Sequence, residues 1–168
     1  MEASIHLGDR LISRAKTVRG LVRWAYETAS NPGSTSRWWL PRQVKGRGAF
    51  SRLDAVTEAS WILGHVRSLP APLRAVVASA YGQDRDEQAE LVRLLALLEP
   101  AIPQNLAVCV VRQWCGEDFS IRQMRRLSGC TERTVRDGRA TLREHLIRWD
   151  EGAVVELHYA FEERGWIV

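Results

Sequence analysis

Residues 119–149 carry eight arginines against three acidic side chains. A guanidinium group offers paired N–H donors in a fixed fork, which suits phosphate oxygens and the major-groove edge of guanine. The spacing around these arginines predicts a helix, a tight turn and a second helix. Ser120 is placed to cap the first helix, whose inward residues are Ile121, Met124 and Leu127. Gly129 can take the positive φ of the turn, and Thr131 can cap the second helix. That helix would bury Val135, Leu142, Leu146 and Trp149, at steps of seven, four and three. Glu132, Arg133, Thr134, Arg136, Asp137, Arg139, Ala140 and Arg143 are left to face outward.

A helix laid in the major groove works when its first two turns reach base edges while neighbouring cations neutralise phosphates. Arg133, Arg136 and Arg139 suit the first task. Arg122, Arg125, Arg126 and Arg143 suit the second, and the backbone amides at the Thr131 helix start could hold a further phosphate. Gly138 sits inside the reading helix, where it costs about 1 kcal/mol relative to alanine. That cost is tolerable if the backbone must approach something closely. Capped hairpins with an arginine-rich face also occur in proteins that never meet DNA, so the spacing leaves both readings open.

The run from Met124 to Leu146 resembles the helix-turn-helix of sigma factor region 4 and related regulators. The residues that carry the likeness are Gly129-Cys130-Thr131-Glu132-Arg133-Thr134-Val135, followed by Arg139, Leu142 and Leu146. The Cys-x-x-Arg-Thr-Val-Arg core from Cys130 to Arg136 looks most like the small Q-type antitermination factors of lambdoid phages, the phage 21 class, and their prophage-derived relatives. Those chains also place an apolar helix pair ahead of the motif, as residues 62–81 do here. Two positions depart from the pattern: Arg125 stands where a small alanine is usual, and Ser128 where a leucine is usual. The resemblance implies a regulator that binds a DNA element near a promoter and loads onto paused bacterial RNA polymerase with its sigma factor. It further implies suppression of termination at the RNA exit channel. A sigma-like factor or activator that recruits polymerase without travelling with it, and a polymerase-binding adaptor or inhibitor that never reads DNA, are the rival readings.

The formal charge of +4 is uninformative, but its distribution is not. Residues 1–53 hold ten basic side chains against three acidic, residues 54–118 five against nine, and residues 150–168 one against five. Two basic segments divided by acidic ones suggest polyanion-facing surfaces on a neutral scaffold. The first includes a Ser-, Gly- and Arg-rich stretch at 34–50, where Arg37, Trp38, Trp39, Arg42, Lys45 and Arg47 form an aromatic and basic loop. Such a loop suits RNA or a polymerase surface, or alternatively the two tryptophans anchor it to the core.

The elements that position these groups read as helices throughout. Apolar residues recur at helical spacing over residues 9–30, 54–68 and 84–99, the last with a stripe of Leu91, Leu94, Leu95 and Leu98. Residues 73–81 form a short apolar helix closed by Gly82. Residues 105–114 are apolar enough for a buried helix or a strand, and the helical neighbours favour helix. Val154, Leu157 and Phe161 give a final helix within residues 153–168. The expectation is an all-α multi-helix domain of six to eight helices containing the sigma region 4-like motif. Its segments are a basic arm at 1–53, an acidic helical core at 54–118, and the motif with a C-terminal helix at 119–168.

Other chemistries find little support in the spacing. Cys109, Cys115, Cys130, His145 and His158 contain no pair at the two-to-four-residue interval typical of structural zinc. No nucleophile-and-base pair or phosphate-cradling glycine loop appears, so neither an enzyme nor a cofactor is expected. Three cysteines without a disulfide pattern, no leader and no membrane-length apolar stretch read as a cytoplasmic, nucleoid-associated protein. The expected partners are double-stranded DNA, bacterial RNA polymerase and nascent RNA, with no membrane and no small-molecule substrate.

Overall fold

The computed structural model describes residues 3–31 and 52–167, with side chains for residues 17–31 and 55–167. The described residues form an all-α architecture without strands. In chain order the helices are α1 (Ala3–Ser30), α2 (Arg52–Ser68), α3 (Ala71–Gly82), α4 (Arg85–Leu98), α5 (Gln104–Trp114), α6 (Ile121–Ser128) and α7 (Glu132–Glu163). The loop expected to contact RNA or polymerase, with Arg37, Trp38, Trp39, Arg42, Lys45 and Arg47, lies outside the described residues.

Local chemistry sets the boundaries. Pro70 precedes α3 and Pro103 precedes α5, each where the missing amide donor is harmless to the helix that follows. Asp84 caps α4, its Oδ1 accepting from the amides of Asp86 at 2.9 Å and Glu87 at 3.2 Å. The end of α3 differs from expectation. Gly82 stays helical and Gln83 takes the left-handed conformation, φ 51°, donating its amide to Ala78 O.

By contacts the chain divides into two compact units, residues 70–153 and residues 1–69 with 154–168. These do not follow the charge segments, because charge marks the solvent face of a helix and contacts mark the apolar one. The last expected helix is not separate: α7 runs unbroken from Glu132 to Glu163 and contributes to both units. Residues 149–153 contain no proline, and Gly152 alone is too weak a breaker to end a helix buried on both sides of it, at Leu146 and Leu157.

In the unit built from both ends of the chain, α1 packs on α2. Val18, Val22 and Ala25 meet the expected stripe, and with them Leu21, Trp24, Ala59, Ile62, Val66 and Phe161 are buried. The chain turns back after α7 by bonds from Gly165 N to Glu162 O and from Trp166 N to Phe161 O. This 6→1 and 5→2 pairing closes the helix and sets Trp166 edge-on against both Trp61 and Phe161. The Arg164 guanidinium stacks over the Trp61 ring.

In the other unit, α3 packs on α4, α4 on α5 and α5 on α6. Its core is Ala75, Val76, Val77, Leu91, Val92, Leu95, Leu106, Val110, Val111, Met124, Val135, Leu142 and Leu146. The α4 stripe is rotated from the expected one: Val92 is buried, Leu94 is half-buried, and Leu98, in the last turn before Pro100, is 52% exposed. Trp149 is likewise only partly buried.

At Gly138, α7 meets Leu106 of α5 and Ile102 just before that helix. A Cβ built there would lie 2.9 Å from Leu106 Cδ2 and 3.4 Å from Ile102 Cγ2. The close approach anticipated for this glycine is therefore with the protein's own core. Leu106 is fully buried, so its methyl group has little room to yield. Gly138→Val is expected to destabilise the protein by about 1 to 3 kcal/mol through overpacking, read as a lower urea midpoint at unchanged m-value. An unchanged midpoint would mean that the α5–α7 contact is slack.

Candidate nucleic-acid interface

The hairpin starts from a capping box. Ser120 Oγ accepts the Gln123 amide at 3.2 Å while Gln123 Oε1 accepts the Ser120 amide at 2.8 Å. Met124 seals α6 to the core. Leu127, expected inward, is 53% exposed. Gly129 ends α6 at φ 71°, donating its amide to Arg125 O, a conformation in which a side chain would be strained.

The two departures from the sigma-like pattern have visible uses. Ser128 donates to Met124 O at 2.7 Å and accepts the Cys130 amide at 3.3 Å, so its hydroxyl ties the turn where a leucine would pack. Arg125 reaches across the turn to Glu132, Nη1 to Oε2 at 3.6 Å. Thr131 caps α7 as expected, its Oγ1 accepting the Thr134 amide at 3.2 Å.

Beyond the cap, Val135, Leu142 and Leu146 are buried and the opposite face is open. Glu132, Arg133, Thr134, Arg136, Asp137, Ala140 and Arg143 are exposed on α7, and Arg122, Arg125 and Arg126 on α6. The Arg133 side chain is 93% exposed, with Asp137 Oδ2 at 3.7 Å. Arg136 donates twice to Glu132 Oε1, from Nε at 3.0 Å and Nη2 at 2.7 Å. These ion pairs lie within the hairpin itself and are solvent-exposed, so a polyanion competes with them on nearly equal terms.

Arg139 departs from the expected base-edge role. It is half-buried and donates from Nε to Gln113 Oε1 at 3.0 Å, while Gln113 Nε2 donates to Phe119 O at 3.3 Å. Gln113 thus brackets the hairpin from α5, touching the residue before the α6 cap and the second turn of α7. The segment between α5 and α6 is tied further by the Arg112–Glu117 fork, with the Arg112 guanidinium 5.2 Å from the Phe119 ring centroid. Sequence spacing had no signal for Gln113, which lies 26 residues from its partner. Two of the cysteines are quiet here: burial pushes the Cys115 thiol up to about 11, and the Cys109 thiol is also raised by burial. No protein-family model and no curated protein matches the chain.

Three carboxylates, exposed at Glu132 and Glu117 and half-buried at Glu90, are held below their ordinary value of 4.5 by hydrogen bonds from arginine: Glu132 by Arg136, Glu117 by Arg112 and Glu90 by Arg93. A carboxylate whose value is lower folded than unfolded stabilises the fold fully above its unfolded value. The contribution is lost as pH falls through the lower folded value. The thermal midpoint is therefore expected to drop on acidification below about pH 4.5. The drop should be shallower at about 1 M salt, where screening acts within about 3 Å, and in the triple variant Glu90→Gln, Glu117→Gln, Glu132→Gln. A triple variant with the wild-type acid profile would assign the loss to other groups.

Proposed function

We propose that this chain is a DNA-binding transcription regulator whose α6–α7 hairpin lays the first turns of α7 in the major groove. The carrying observation is the open arginine face of α7, with Arg133 and Arg136 in the two turns after the Thr131 cap. Arg133 and Arg136 reach base edges, with Glu132, Thr134 and Asp137 beside them. Arg122, Arg126 and Arg143 meet phosphates on either side. Thr131 directs the helix start, whose free amides suit another phosphate.

The motif's resemblance to the Q-type factors supports a more specific reading: a processive antitermination factor that loads onto promoter-proximal RNA polymerase. On this reading the acidic helices and the loop at 34–50 are available for polymerase or nascent RNA. Transcription in vitro with purified protein decides between travelling and recruiting modes. Readthrough of a terminator placed far downstream supports antitermination, whereas raised initiation with normal termination supports the activator reading. Failure to retain any duplex would leave the polymerase-binding adaptor.

Arg133→Ala and Arg136→Ala are each expected to weaken binding to the cognate duplex by about 1 to 3 kcal/mol and to relax sequence preference. Arg122→Ala should weaken specific and scrambled duplexes alike and lower the salt slope by about 1. Equal losses on both duplexes for Arg133 and Arg136 would move those side chains from bases to phosphates.

A further inference from the structure

Beside the hairpin's open face, between α5 and α7, lies a hollow of about 300 Å³ lined by Val110, Gln113, Trp114, Arg139 and Arg143. We propose that it is a seat for a single phosphate group, recognised by Arg139 and Arg143, with the Trp114 ring in its wall.

The hollow's lining holds two guanidinium groups and no carboxylate. Arg139 and Arg143 stand four residues apart on one helix, so they are neighbours whose like charges repel unless an anion lies between them. The other hairpin arginines with ionic partners, Arg125, Arg133 and Arg136, all have carboxylates. Arg139 has only the neutral Gln113 oxygen, on its Nε, and keeps its charge and its terminal N–H donors uncommitted. The acids nearest along α7 are engaged elsewhere, Asp137 with Arg133 and Glu144 with Arg148.

On the α5 side the wall is Val110, Gln113 and Trp114, whose ring lines the hollow although its Nε1 is closed off from solvent. What the hollow lacks is an acceptor with negative charge, and a tetrahedral oxyanion supplies one to the guanidinium pair. Gln113 holds Arg139 in place and its amide makes the wall polar without neutralising it.

The phosphate has two sources, a phosphodiester of the bound duplex or free phosphate in solution. Only the first rests on the duplex reading. Indole ¹H–¹⁵N resonances of the full-length protein distinguish them, with the Trp114 peak assigned by Trp114→Phe. Inorganic phosphate titrated at constant ionic strength should move that peak saturably. In Arg143→Gln, an exposed substitution, the same shift should need at least tenfold more phosphate. A peak that follows ionic strength alone, with sodium chloride as effective as phosphate, and that duplex leaves unmoved, overturns the proposal. If duplex DNA moves the peak and Arg143→Gln weakens duplex binding about three- to tenfold, the backbone is the source. If phosphate moves it but no duplex binds, the seat stands for a free anion and the duplex reading fails. If duplex binds while the peak answers to neither ligand, the duplex reading stands and the seat is refuted.

Discussion

The contact between α5 and α7 at Gly138 fixes how the hairpin is presented. A helix without a Cβ at that point can sit against Leu106 and Ile102 at a separation that a larger residue would forbid. Val135, Leu142 and Leu146 then point into the same core as Val110 and Val111, and the geometry of a helix sends the intervening residues the other way. The exposure of Arg133 and Arg136 is therefore a result of apolar packing one face away. Their charges play no part in setting it.

The turn that joins the two helices is held by small polar groups instead of apolar ones. Ser120, Ser128 and Thr131 each place a hydroxyl on a backbone group that the helix ends would otherwise leave without a partner. Arg125 and Glu132 meet across the turn, outside the core. A hairpin tied in this way carries serine at 128 and arginine at 125 because its closure rests on these polar groups and not on tight apolar packing there.

The all-helical class, the α5 helix, the caps at Ser120 and Thr131 and the buried line from Val135 to Leu146 were legible in the sequence, because each depends on local spacing or on one residue's hydrogen-bonding habit. What escaped it depends on neighbours distant in the chain. Leu127 and Leu98 carry the right periodicity, but periodicity does not say where the packed neighbour ends. Arg139 shares the outward arc of α7 with Arg136, yet Gln113 of α5 draws it aside. The hollow at Trp114 gave no signal at all, since a tryptophan in an apolar run looks like core whether or not its N–H finds an acceptor. The continuity of α7 was hidden because the apolar steps end at Trp149 and resume at Val154, a gap that packing on either side bridges.

The two ends of the exposed arginine surface answer differently to acidity. Around Glu132 the local charge rests on a carboxylate, and protonating it would leave Arg125 and Arg136 unopposed. At Gln113 the partner of the guanidinium is a neutral amide, with no carboxylate in the bond to lose as pH falls. Acid therefore loosens the turn between α6 and α7 without touching the bond by which α5 holds Arg139.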